Sequence, residues 1–81
     1  MTIEDFEGFS PVISPSAWVH ESAVVIGQVE IGDECSIWPN ANLRADEGSI
    51  QIGARSNIQD ARFEVNILRF EFQVSRFNVQ N

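Results

Sequence analysis

The stretch Ile13-Ser-Pro-Ser-Ala17-Trp-Val19-His-Glu-Ser-Ala23-Val-Val25-Ile-Gly-Gln-Val29-Glu-Ile31-Gly-Asp-Glu-Cys35-Ser-Ile37-Trp-Pro-Asn-Ala41-Asn-Leu43 decides the fold. An aliphatic residue returns every six positions, at Ile13, Val19, Val25, Ile31, Ile37 and Leu43. A small or short one follows four later, at Ala17, Ala23, Val29, Cys35 and Ala41. A helix wants apolar positions about 3.6 residues apart and a simple strand wants them 2 apart, so a six-residue step fits only as three strand steps, one short strand and a bend. Each unit then turns an aliphatic side chain into a narrow interior, with a small one where the chain bends. Gly27, Gly32 and Gly53 follow Ile26, Ile31 and Ile52, and Asp33, Pro39 and Asn40 are turn formers where bends are needed. The expected architecture is a β-solenoid whose coils bury their apolar faces on one another, because one coil alone cannot.

The step slips once. After Leu43 the aliphatic residues in phase are Ile52 and Ile58, so three extra residues sit at or around Asp46-Glu47-Gly48. Polar and glycine-containing, they are expected to form a small loop extruded from the wall, the kind of place where function sits.

Eighty-one residues allow one small domain of marginal stability by itself, which makes partners an expectation. Twelve acids against five arginines and no lysine give a net charge of −7. That balance argues against nucleic acid and anionic membranes, which need a basic surface. Acidity reads first as solubility. The one cysteine, Cys35, rules out an internal disulfide, suits a reducing compartment and falls on the small-residue step, so it reads as a buried structural thiol rather than a nucleophile. The sequence carries no secretory signal pattern and no run of 18 apolar residues, and the expected location is cytoplasmic.

The segment Leu43-Arg-Ala-Asp-Glu-Gly-Ser-Ile-Gln-Ile-Gly-Ala-Arg-Ser-Asn-Ile-Gln-Asp60, together with Trp18-Val19-His20, Ser36-Ile37-Trp38-Pro39 and the six-residue register, resembles the γ-class carbonic anhydrases and their relatives over about residues 10 to 60. Hexapeptide acyltransferases share the register; the Arg-x-Asp-Glu-Gly and Asn-Ile-Gln-Asp elements speak against them. The resemblance implies an all-β fold, a left-handed parallel β-helix of hexapeptide repeats, three chains side by side, and a zinc ion held by histidines between subunits. By matching positions it implies interface roles for Arg44, Asp46 and Asp60. Glu47 matches an acid near the metal that relays protons, Gln59 a residue bonded to the zinc-bound water, and Asn57 a neighbour in the same pocket. The implied chemistry is reversible hydration of carbon dioxide to bicarbonate, in which zinc lowers the pKa of bound water to about 7 and a nearby group exports the proton.

Without the resemblance, Arg44 and Asp46 would be a surface ion pair worth about 0–1 kcal/mol, Glu47-Gly48 a turn, and Asn57 to Asp60 a polar bend. The family pattern also breaks. Its first zinc histidine falls six residues after the glutamine, where this chain has Val65, and the other two belong to later coils beyond Asn81. His20 matches no ligand. With about three protein donors needed, the chain is expected to bind no zinc and to be inactive alone.

From Ala61 the texture changes. Ala61 to Ile67, Leu68 to Val74 and Ser75 to Asn81 are near copies seven residues long, each with Arg-Phe at its second and third positions. A degenerate repeat beginning where the resemblance ends is expected to reflect truncation or a frameshift. Its alternation of apolar and polar residues predicts two or three short strands with breaks. The organisation expected is therefore a lead-in strand in 1–12, a hexapeptide β-helix of about 2.5 coils in 13–60, and an atypical β-prone tail in 61–81. The function expected is that of a γ-carbonic anhydrase-like protein in truncated form. The alternative is a non-catalytic assembly subunit of the same family, forming a homotrimer or docking onto full-length relatives.

Overall fold

The computed structural model describes residues 1–59, 62–65, 70–74 and 78–80, with Glu47 and the strands beyond 59 as backbone alone. Ten strands make up the regular structure of these residues, and no helix occurs among them: β1 (Thr2–Glu4), β2 (Val12–Ile13), β3 (Trp18–Val19), β4 (Val24–Ile31), β5 (Ser36–Ile37), β6 (Asn42–Ile52), β7 (Asn57–Gln59), β8 (Arg62–Val65), β9 (Phe70–Val74) and β10 (Asn78–Gln80). Every ladder between them is parallel.

The ladders form three walls. The first stacks β1, the start of β4, the start of β6 and β8. The second stacks β2, the end of β4, the end of β6 and β9. The third stacks β3, β5, β7 and β10. Ile13 pairs with Ile31, Val19 with Ile37 and Val25 with Leu43, each 18 residues on, so three six-residue units make one circuit. The chain is a hexapeptide-repeat β-helix, all-β and parallel, as the register required.

The interior holds the predicted residues. Ala23, Val25, Val29, Ile31, Cys35, Ile37, Ala41, Leu43, Ile52 and Ile58 are buried, joined by Ala45 and Ile50. Ile13, Ala17 and Val19 are only partly buried, because they lie in the lowest layer with no coil beneath them. Ser56 takes the small position four after Ile52; it is 1% exposed and its hydroxyl donates to Gly53 O at 2.7 Å. The Cys35 thiol donates to the same carbonyl at 3.1 Å, which makes it a structural group of the wall.

Turns stack as the strands do. Ala17, Ala23 and Ala41 each donate their N–H to the carbonyl three residues back. Ser14 Oγ bonds Asp33 one coil on, Glu34 N–H donates to Ser16 Oγ at 3.0 Å, and Asn40 N–H donates to Ser22 Oγ at 3.1 Å, so side chains of one turn satisfy the backbone of the next. Asn40 sits at φ 66° and Glu34 at φ 54°, in the left-handed region such bends use. Gly27, at φ 85°, makes the corner inside β4. A Cβ there would lie 2.3 Å from Ala45 O, so only glycine lets the two coils close on each other.

One expectation is corrected. The three extra residues do not leave the wall as a loop: β6 runs unbroken through them, and the slip is taken up in the pairing with β4, where Gly27 faces Ala45 but Val29 faces Ile50. One lower residue, Gln28, spans the same corner as residues 46–49 above. A bulge at a corner lets a strand absorb extra length while its inward residues stay in register.

Candidate functional site

Residues 44 to 46 alternate across the wall. Ala45 is turned inward and buried, which turns Arg44 and Asp46 outward. Their side chains meet at 3.1 Å between Nη2 and Oδ2, with 40% and 20% exposure, just before the register slip. Glu47 follows in β6; its side chain lies outside the described residues, and so does Asp60.

Asn57 and Gln59 stand on a different wall, the third, flanking buried Ile58. Gln59 Nε2 donates to Asn57 Oδ1 at 3.3 Å, and Ser36 Oγ, one coil below, donates to the same oxygen at 3.4 Å. The structure thus joins Asn57 to Gln59 and Arg44 to Asp46, and puts the two pairs on separate walls of one chain.

The lower half of the third wall is aromatic. Trp18 and Trp38 are 48% and 40% exposed and meet edge to face with centroids 4.9 Å apart; His20 approaches Trp18 edge-on at 5.9 Å. Sequence reading passed over this cluster, although register alone would have brought it together, because Trp18 lies below Ser36 and His20 below Trp38.

Zinc, which the resemblance implies, does not fit the described donors. No three of their His, Cys, Asp or Glu side chains come together. His20 has its Nδ1 engaged by the Ser22 N–H at 3.0 Å and sits among tryptophans on the outside, whereas Cys35 is 2% exposed and bonded to a backbone carbonyl within the wall. Zinc wants about three converging N, S or O ligands, and these two residues diverge. No helix of the described residues is long and apolar enough to cross a membrane.

Residues 10–45 match the family of bacterial transferase hexapeptide repeats, six repeats in all. The chain is similar to the carnitine operon protein CaiE of Proteus sp. (strain LE138), 48% identical over 60 residues that cover 74% of this chain and 30% of that one. CaiE of Escherichia coli (strain SMS-3-5 / SECEC) is likewise 48% identical over 60 residues, 74% of this chain and 31% of its own. The chain therefore spans about a third of the length of the curated relatives it matches. Over its N-terminal portion the chain therefore carries the hexapeptide repeat of that family and is homologous to the CaiE proteins.

Proposed function

We propose that this chain is a γ-carbonic anhydrase-like subunit that does not hydrate carbon dioxide by itself. The family chemistry is zinc-dependent reversible hydration to bicarbonate. What supports the reading is the divergence of His20 and Cys35, the one histidine and the one cysteine of the sequence, on opposite sides of the wall. The test is stopped-flow hydration on the purified chain with zinc supplied, with metal content measured on the same sample. The expected result is a rate equal to buffer and no stoichiometric zinc; one zinc per chain with a hydration rate above buffer overturns it.

A second reading, assembly, rests on the Arg44–Asp46 pair. Held at 3.1 Å on an outward surface, it sets a guanidinium and a carboxylate on the face that a neighbouring chain would meet. The pairs Arg44–Asp46 and Asn57–Gln59 occupy different walls of one chain, so a site using both takes two chains, in a homotrimer or in a complex with a full-length relative. Mixing the chain with a full-length CaiE and weighing the product by light scattering tests it: a mixed complex is expected, and two species unchanged in mass would sink the idea. The segment 61–81 is read as the product of truncation or a frameshift, tested by transcript sequence across codon 60, and the location as cytoplasmic. An acyltransferase reading starts from the likeness of residues 10–45 to the bacterial transferase hexapeptide repeats; absence of acetyl-CoA binding dismisses it.

A further inference from the structure

A groove of about 260 Å³ opens on the outer side of the second wall, between the lead-in segment and the two stacked corners. Its floor is set by register. Val29 and Ile50 are buried and pair across adjacent coils, so Gln28 and Glu30 below and Ser49 and Gln51 above turn outward and line the groove. Glu30 is the centre of one outward column, with Gln51 above it and Val12 below.

The lead-in segment supplies the other side. Phe6 and Phe9 exchange backbone hydrogen bonds at 2.9 and 3.0 Å around a tight turn in which Glu7 takes φ 49° and Gly8 φ 85°. That turn holds Phe9, 52% exposed, and Ser10 at the groove's edge. Ser10 Oγ donates its proton to Asp5 Oδ1 at 2.7 Å, so its oxygen keeps only the capacity to accept.

The lining selects by charge. It holds one carboxylate, Glu30, with Asp5 behind Ser10, and no basic side chain, in a chain of net charge −7. An anion would meet repulsion with no guanidinium to offset it. A neutral guest would strip water from Glu30 and return nothing for its charge. A bare divalent metal ion asks for several converging oxygens, and among the described residues no three His, Cys, Asp or Glu side chains come together. An organic cation satisfies the lining. Its N–H groups meet acceptors at Glu30, Ser10 Oγ and the amide oxygens of Gln28 and Gln51, and the Phe9 ring attracts the same charge through its face. The volume is below that of drug-sized pockets, which limits the guest to a small molecule.

We infer that this groove binds a small alkylammonium ion, a primary or secondary amine with its N–H groups on Glu30 and its short apolar chain against Phe9 and Val12. The site lies on the second wall, apart from the Arg44–Asp46 and Asn57–Gln59 pairs, and serves a ligand that neither pair would take.

The experiment follows the backbone amide resonances of the full chain by NMR as n-butylammonium is added at constant ionic strength. Saturable shifts are expected at residues 9–12, 28–30 and 49–51. Butyrate, of similar length and opposite charge, is expected to give none, and tetramethylammonium, which carries the charge without an N–H, to bind more weakly. Glu30→Gln keeps the shape and removes the charge, and is expected to weaken butylammonium binding about tenfold. Phe9→Ala should weaken it about threefold. Glu21→Gln removes the same unit of charge from an exposed position between β3 and β4, and should leave affinity within about twofold. All three side chains are exposed, so each variant is expected to keep the urea midpoint of the unmodified chain. No saturation by about 100 mM, equal binding of butyrate or of tetramethylammonium, or equal losses from Glu21→Gln and Glu30→Gln overturns the inference.

Discussion

The circuit from Val19 to Ile37 and the circuit from Ile37 to Ile58 close the same three-sided coil with 18 and with 21 residues. Their inward residues stack without a gap: Val25 under Leu43, Ile31 under Ile52, Ile37 under Ile58. All three extra residues fall in the corner between Ala45 and Ile50. Register in this fold is therefore held by the aliphatic interior, while corners are free to lengthen as long as the next inward residue lands on its column. Corners are consequently where the surface can acquire chemistry, and the Arg44–Asp46 pair stands at the lengthened one.

The comparison breaks most completely by emptying a column. Ile37 is fully buried between Val19 below and Ile58 above. Ile37→Ala removes three methyl or methylene groups from a stack that cannot collapse sideways, and should cost about 3–5 kcal/mol. For a domain this small that is most of the stability, so urea titration followed by circular dichroism is expected to show a chain largely unfolded in buffer. A loss under about 1 kcal/mol would mean that the column does not hold register.

Next in size is the short corner. Gly27 faces Ala45 O so closely that Gly27→Ala forces the two coils apart, on top of the strain of a positive φ. The expected cost is about 2–4 kcal/mol. Gly48 lies in the lengthened corner stacked on the short one, and Gly48→Ala provides the contrast: a loss clearly smaller than at Gly27 is expected. Equal losses would show that the two corners are equally tight.

How far the sequence discloses this depends on which of the two circuits is read. Through Leu43 each inward position repeats at six, and Ala17, Ala23, Val29, Cys35 and Ala41 can be picked out from their spacing alone. Past Leu43 the phase moves, and Ala45 and Ile50 escape the template even though both are buried. A signal for Ile50 was present: Val29-Glu-Ile31 returns as Ile50-Gln-Ile52, the same pair of inward residues around one outward residue. The extruded loop was the wrong picture of the insertion because polarity and glycine mark a bulged strand as well as a loop. The polar pairs were found through family likeness rather than spacing. Contacts such as Ser36 to Asn57 and Trp18 to Trp38 depend on circuit length, which a local pattern does not give.

Smaller effects sharpen the comparison without breaking it. Ser56 and Cys35 occupy equivalent small positions one circuit apart, and both donate to Gly53 O. Ser56→Ala leaves that carbonyl with the weaker thiol donor and should cost about 0.5–1.5 kcal/mol, read as a lowered urea midpoint with unchanged slope.

The smallest stability effect belongs to the surface. Arg44 and Asp46 are exposed enough that solvent screens their attraction, so Arg44→Ala should change stability by no more than about 1 kcal/mol. The same pair, presented to a neighbouring wall and desolvated there, has a different energetic weight, because a buried charge left unpaired costs far more than an exposed pair contributes. Arg44→Ala and Asp46→Ala should therefore leave the urea midpoint nearly in place and abolish the mixed complex with a full-length relative. Were the complex to survive both changes, the lengthened corner would be a structural accommodation alone, and the assembly reading would lose its support.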